Sequence, residues 1–132
     1  MTATYKVVIN IQFGGFHLSD QAKAWFFASG LDPKAFLIQR GFTVKPDETT
    51  EQLMDRVIWD FSYSESRTNP LLIACVEALG ENAGLKGIST LYIHEWDRAL
   101  GREYIISEYD GSESVGHPWT SFYNTVPFED QP

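Results

Sequence analysis

The sequence predicts an α+β fold in two layers, a mostly antiparallel sheet of about four strands with three helices packed on one face. Three observations carry this. A stretch of strand period opens the chain at 5–13, helical stripes fill its middle, and alternating segments return at 88–115 around an Asp110-Gly111 turn. A strand, then helices, then a three-stranded meander segregates the elements as helices laid on one face of a largely antiparallel sheet.

Residues 5–13, YKVVINIQF, alternate so that Val7, Ile9 and Ile11 face one side and Val8, Asn10 and Gln12 the other. Gly14-Gly15 then breaks the strand, because glycine reaches backbone angles that other residues avoid. Ser19 fits the N-cap of a helix over 20–29, with Leu18, Ala22, Trp25 and Phe26 at the spacing of a buried stripe and Gly30 past its end. Asp32-Pro33 opens a short helical piece to about 41, anchored by Phe36 and Leu37, although AFLI fits an extended segment equally well. Residues 42–48 connect it to the next helix.

Thr49 and Gln52 have the spacing of a capping box for a helix over 50–61, whose core stripe is Leu53, Met54, Val57, Ile58 and Phe61. A polar, turn-like stretch at 62–68 follows. Asn69-Pro70 starts a helix over 71–79 that stops at Gly80 and turns Leu72, Val76 and Leu79 inward. After a loop at 80–87, the strand 88–96 is expected to pair in a hairpin with 102–109 across a turn at 97–101. A type I′ turn on Asp110-Gly111 brings back a short strand at 112–115. Residues 1–116 are thus expected to form a single α+β domain. Residues 117–132 read as an irregular tail packed on it or extending from it, pinned by Trp119, Phe122 and Tyr123.

At 132 residues, 43% hydrophobic and 14% aromatic, the chain is sized for one core. No apolar run approaches the roughly 20 residues of a membrane helix. MTATYKVVIN lacks the basic-then-apolar pattern of a signal peptide, so a cytoplasmic protein without a membrane partner is expected. Cys75, alone and inside LLIACVEAL, forms no internal disulfide and reads as a small buried hydrophobe. The net charge of −8, eighteen acids against ten bases, repels nucleic-acid backbones. The same charge serves solubility and can complement a basic protein partner.

Groups that could carry chemistry concentrate in the last strands: His94, Glu95, Asp97, Glu103, Glu108, Asp110 and Glu113. By alternation Glu108 shares a face with Tyr104 and Ile106, and Glu113 lies near it across the turn. Carboxylates held so close repel unless a cation sits between them, either a hard divalent metal or an arginine such as Arg67, Arg98 or Arg102. Gly14-Gly15 between a strand and a helix has the outline of an anion site, but no lysine follows, and the spacing matches neither phosphate-loop nor dinucleotide motifs. The packing alternative is that the glycines let Phe13 and Phe16 turn into the core. His17 and His117 flank the two glycine turns, and Ser19, Ser107 and Ser112 stand in no nucleophile elbow. No cofactor is implied, no metal site is assigned, and whether the chain is an enzyme stays open.

VVIN followed by GGFHLS, then RTNPLLIACVEALGENA, STLYIHEW and YIISEYDGSESV, resembles a family of small uncharacterised tailed-bacteriophage proteins. That family carries a GGFxLS turn, a helix start of the form R-x-[DN]-P-x-L, and an EYDGxExV hairpin. The matching positions are Gly14, Gly15, Phe16, Leu18, Ser19, Arg67, Asn69, Pro70, Leu72, Gly80, Glu108, Tyr109, Asp110, Gly111, Glu113 and Val115. Phe13 stands where the family has the end of a Cys-Tyr pair, and the match is thinnest over 33–64.

The resemblance implies a phage origin and a shared fold, with no known activity. Gly14, Gly15, Phe16, Ser19, Arg67, Glu108, Tyr109, Asp110 and Glu113 are the binding candidates, expected to meet in space with Arg67 paired to Glu108 or Asp110. The leading expectation is an accessory factor that binds a host protein in the host cytoplasm and inhibits host defence or metabolism. A metal-assisted hydrolase using Glu108, Asp110 and Glu113, with Arg67 steadying an anionic substrate, is the alternative. A virion assembly accessory is a third reading, and a homo-oligomer is left open.

Overall fold

In the computed structural model, residues 4–100, 103–116 and 126–127 are described. Strand β1 spans Thr4–Asn10 and pairs antiparallel, residue for residue from Thr4↔Asp97 to Asn10↔Leu91, with β2, Leu91–Asp97. Between them in sequence lie four α-helices: α1, Asp20–Ala28; α2, Pro33–Gln39; α3, Thr50–Phe61; and α4, Pro70–Leu79. A second sheet is the hairpin of β3, Glu103–Tyr109, and β4, Ser112–Gly116, with the two-residue β5, Val126–Pro127, on the other edge of β3.

The helices begin where local chemistry places them. Ser19 Oγ accepts the Ala22 N–H at the start of α1, and Asp32 accepts from Lys34 and Ala35 ahead of Pro33 in α2. Thr49 and Gln52 close a reciprocal capping box at α3, and Asn69 caps α4 with Pro70 at its first position. Each cap supplies oxygen to N–H groups that have no carbonyl one turn back, an effect of about 1 kcal/mol apiece.

The core is split by the β1–β2 ribbon. On one face Val8 and Leu91 pack with Ala22, Phe26, Leu53, Met54, Val57, Phe61, Leu72 and Val76 from the helices. Phe26 stacks on Phe61 with ring centres 5.2 Å apart. On the other face Tyr5, Val7, Ile9 and Trp96 pack against Tyr104, Ile106 and Val115 of the second sheet. Both faces of β1 are therefore covered, and the described residues form three layers rather than two: helices, β1–β2, and β4-β3-β5.

Three sequence expectations change as a result. The sheet is not one unit of four strands, and the described helices number four rather than three, the short helical piece expected after Asp32-Pro33 forming as α2. The expected hairpin between the strands at 88–96 and 102–109 does not form. Instead β2 pairs with β1, and a 3-10 helix, Arg98–Leu100, carries the chain out of the ribbon. That exit is held by Ala99 N–H donating to Asp97 Oδ1 at 2.9 Å, and by the Arg98 guanidinium 4.3 Å over the Tyr5 ring.

The first strand also ends at Asn10, not at Phe13, because the Asn10 side chain grips the backbone of Gln12 and turns the chain. The tail expected to be irregular contributes β5, while Trp119, Phe122 and Tyr123 lie outside the described residues. Among the described residues no helix is long and apolar enough to cross a membrane.

Candidate functional site

The outer edge of β1, opposite β2, is closed by the backbone and side chain of Arg67 and by the Glu113 carboxylate instead of by another paired strand. Val8 N–H donates to the Arg67 carbonyl at 2.9 Å, and the Val8 carbonyl accepts from Arg67 Nη1 at 3.3 Å. One step along, Asn10 N–H donates to Glu113 Oε1 at 2.8 Å. Arg67 and Glu113 then join in a two-pronged ion pair, Nη1–Oε1 2.6 Å and Nη2–Oε2 2.8 Å. A strand edge with unsatisfied N–H and C=O groups invites foreign pairing, and here a buried guanidinium–carboxylate pair occupies it.

Arg67 is 3% exposed, and each of its donors is used. Nε and Nη2 donate to the Ser62 carbonyl at 3.2 and 2.6 Å, while Nη1 and Nη2 serve Val8 and Glu113. That accounts for the five N–H groups of a guanidinium. Its lower face is closed by the Phe16 ring, 3.8 Å from the guanidinium carbon to the ring centre. A saturated guanidinium has no donor left for a substrate anion. Arg67 holds the structure together at this point and does not present its charge.

The sequence expectation that Arg67 pairs with Glu108 or Asp110 is therefore corrected to Glu113. Glu108 and Glu113 sit directly opposite in the hairpin register, so their carboxylates must separate, and they do so in different directions. Glu113 turns inward to Arg67, while Glu108, exposed, accepts the Gly111 N–H at 3.0 Å. Asp110 is exposed with φ +49° and Gly111 has φ +89°, the pair of positive angles that a type I′ turn requires.

The hairpin tip rests on the double-glycine bend. A Cβ on Gly111 would lie 2.4 Å from the Gly15 nitrogen, and one on Gly14 would lie 2.1 Å from the Ile88 carbonyl oxygen. Only glycines allow the two backbones to approach this closely. Asn10, fully buried, stitches the bend: Nδ2 donates to the carbonyls of Gln12 and Gly111 at 2.7 and 2.8 Å, and Oδ1 accepts from Gln12 and Thr90 at 3.3 and 2.9 Å. Sequence reading missed Asn10. Its signal was an amide at the position after Val8 on the same face of an otherwise apolar strand.

Of the candidate residues, Gly14, Gly15, Phe16, Arg67 and Glu113 converge here with Gly111. Glu108, Tyr109 and Asp110 form the exposed rim. Ser19 stands apart, bonded to Ala22, Asn82 and Ala83 as a helix cap.

Phe13 does not enter the core, as the packing reading expected. It is 70% exposed and meets Tyr109, 73% exposed, edge to face at 6.4 Å between ring centres. Phe13 follows a strand whose last inward position is already filled by Asn10, so the bend throws the ring outward.

Burial pushes the Cys75 thiol up to about 12, and burial lowers His94 below its ordinary value near 6.5. Among the described residues no three His, Cys, Asp or Glu side chains are grouped to hold a metal ion, and both oxygens of Glu113 are taken by Arg67. Comparison of the chain with protein-family models, with curated proteins and with solved structures returns no match.

Proposed function

We propose that this chain is a phage-encoded accessory protein that binds a host protein, using the rim of the double-glycine bend as its contact surface. The observation that carries the reading is the Phe13–Tyr109 pair, two large rings left in water yet fixed in mutual geometry. Removing each ring from water is worth roughly 2 kcal/mol. Rigid aromatic anchors lose little entropy on binding, and these are set on backbone clamped by Gly111 on Gly15 and by Arg67 on Glu113.

Two further half-exposed apolar residues stand on neighbouring backbone: Tyr92, opposite Ile9 in the β1–β2 register, and Ile11, just past β1 with its N–H on Thr90. Glu108 and Asp110 flank Tyr109, and the net charge of −8 adds a field that draws a basic surface. A partner with an apolar centre and a Lys/Arg rim fits this chemistry. Inhibition of host defence or metabolism is the consequence that such binding would have.

The test is capture from bacterial host lysate by tagged wild-type chain, by a Phe13→Ala/Tyr109→Ala double variant, and by Phe27→Ala as an exposed-aromatic control elsewhere. The reading expects a stoichiometric partner held by wild type and control and reduced at least tenfold with the double variant. No stoichiometric partner, or one held equally by all three, would overturn it.

A further inference from the structure

A second locus lies on the helical side, away from the hairpin rim. A cleft of about 780 Å³ opens where the end of α2, the end of α3 and the following 3-10 helix, Ser64–Ser66, come together. Among the described residues its aromatic lining is Phe36, Phe42 and Tyr63, and its carboxylates are Asp60 and Glu65. That volume falls within the range of small-ligand sites.

Asp60 is the residue that gives the cleft its chemistry. It is 6% exposed, and its Oδ2 is ion-paired with Arg40 Nε at 2.6 Å and accepts from Ser66 Oγ at 3.3 Å, while Arg40 Nη2 donates to the same Ser66 Oγ at 2.7 Å. The other oxygen, Oδ1, accepts from none of the described residues. A buried carboxylate oxygen of this kind calls for a donor. Glu65, exposed on the cleft wall, also has no partner among the described residues. Among the described lining residues, two carboxylates stand against one arginine, a net negative charge.

The aromatic walls fit the same kind of guest. Cations already lie over two of these rings: Arg40 is 5.4 Å from the centre of Phe36, and Arg56 is 6.0 Å from that of Phe42. Tyr63, half-exposed, is set edge to face with Trp59, whose Nε1 donates to the Tyr63 hydroxyl at 3.0 Å. Its ring is thereby held in place beside the two carboxylates.

From this geometry we infer that the cleft binds a planar monocation, a guanidinium or amidinium group. The guest's N–H groups would reach Asp60 Oδ1 and Glu65, and its flat face would lie against Tyr63. Planar, weakly hydrated cations suit such a site better than a compact ammonium does, because they pair with carboxylates through two N–H groups and stack on rings.

The test is a titration of the full chain followed by amide chemical shifts, with benzamidine as the planar cation and benzamide as its neutral counterpart. Saturable shifts at Gln39, Tyr63, Glu65 and Ser66 are expected with benzamidine, at a Kd on the order of 1 mM, and none with benzamide. Glu65→Gln and Tyr63→Ala alter exposed side chains, so they keep the test valid if Asp60→Asn fails to fold. Each is expected to weaken benzamidine at least threefold with the thermal midpoint unchanged.

1-Butylguanidine and N-acetylarginine methylamide, each a monocation, separate the two sources of the group. Tenfold tighter binding of the second assigns the cleft to an arginine of a peptide, and equal binding assigns it to a free guanidinium compound. Equal shifts with benzamide, or benzamidine shifts confined to the Phe13 and Tyr109 region, would overturn the inference.

Discussion

Removing the Glu113 carboxylate is the sharpest perturbation of the buried clasp. Glu113 accepts three hydrogen bonds, two from Arg67 and one from Asn10 N–H. In Glu113→Ala the guanidinium keeps Ser62 and Val8 but is left as an uncompensated charge at 3% exposure, with the Asn10 amide unpaired beside it. Breaking a buried pair from one side costs about 3–5 kcal/mol, against a total stability of about 5–15 kcal/mol for a domain. With a urea m-value near 2 kcal/mol/M, the unfolding midpoint followed by tryptophan fluorescence should fall by about 2 M.

Glu108→Ala, directly opposite in the register but exposed and holding only the Gly111 N–H, should stay within about 1 kcal/mol of wild type. The double variant Arg67→Met/Glu113→Leu should recover only part of the loss, because the carbonyls of Ser62 and Val8 lose their donors. A Glu113→Ala midpoint within 0.5 M of wild type, or a Glu108→Ala loss as large as that of Glu113→Ala, would refute the reasoning (both thresholds set on the urea scale above).

The remaining expectations concern the glycine contact, the thiol and the histidine. Gly111→Ala meets both a positive φ and the Gly15 backbone, whereas Gly41→Ala meets a similar φ with open space around it. Gly41→Ala should cost about 1 kcal/mol and Gly111→Ala at least twice that, as thermal or urea unfolding would report. Cys75, buried with its pKa pushed up to about 12, should resist a disulfide reagent in the folded chain and react fully once denatured. A native thiol that labels within minutes would contradict its burial.

For His94, burial lowers the folded pKa below the unfolded value, so the unfolded chain takes up the proton first as pH falls. Stability is full above the ordinary value near 6.5 and declines as pH drops through the window below it. His94→Gln should flatten urea midpoints measured between about pH 7 and 5, and an unchanged slope would remove His94 as the cause.

What could be read in advance was local chemistry. Ser19, Asp32, Thr49 with Gln52, and Asn69-Pro70 each start a helix where their side chains reach the first free N–H groups, and Asp110-Gly111 makes the turn its two positive φ angles require. Strand partnership was not legible. Alternation in VVIN tells which residues share a face, but both faces of β1 are apolar, and nothing in the period says that Val8 should lie beside Ile93.

The same limit applied at the clasp. Sequence brought Arg67, the glycine pair and the acidic hairpin to one place, yet the choice among Glu108, Asp110 and Glu113 depends on which side of the hairpin faces the edge of β1. Asn10 escaped notice for a related reason. Its four hydrogen bonds join three segments that are far apart in the chain, and an asparagine near the end of a strand gives no sign of them.

Nuclear Overhauser spectroscopy on the labelled chain tests most directly whether those segments meet. Cross-peaks from Gly111 Hα to the Gly15 amide and from Arg67 Hε to the Phe16 ring are expected, with the Arg67 side-chain N–H signals protected from exchange. Absence of the Gly111–Gly15 peak, together with Arg67 signals exchanging at the rate of a free guanidinium, would contradict the buried clasp and with it the surface it presents.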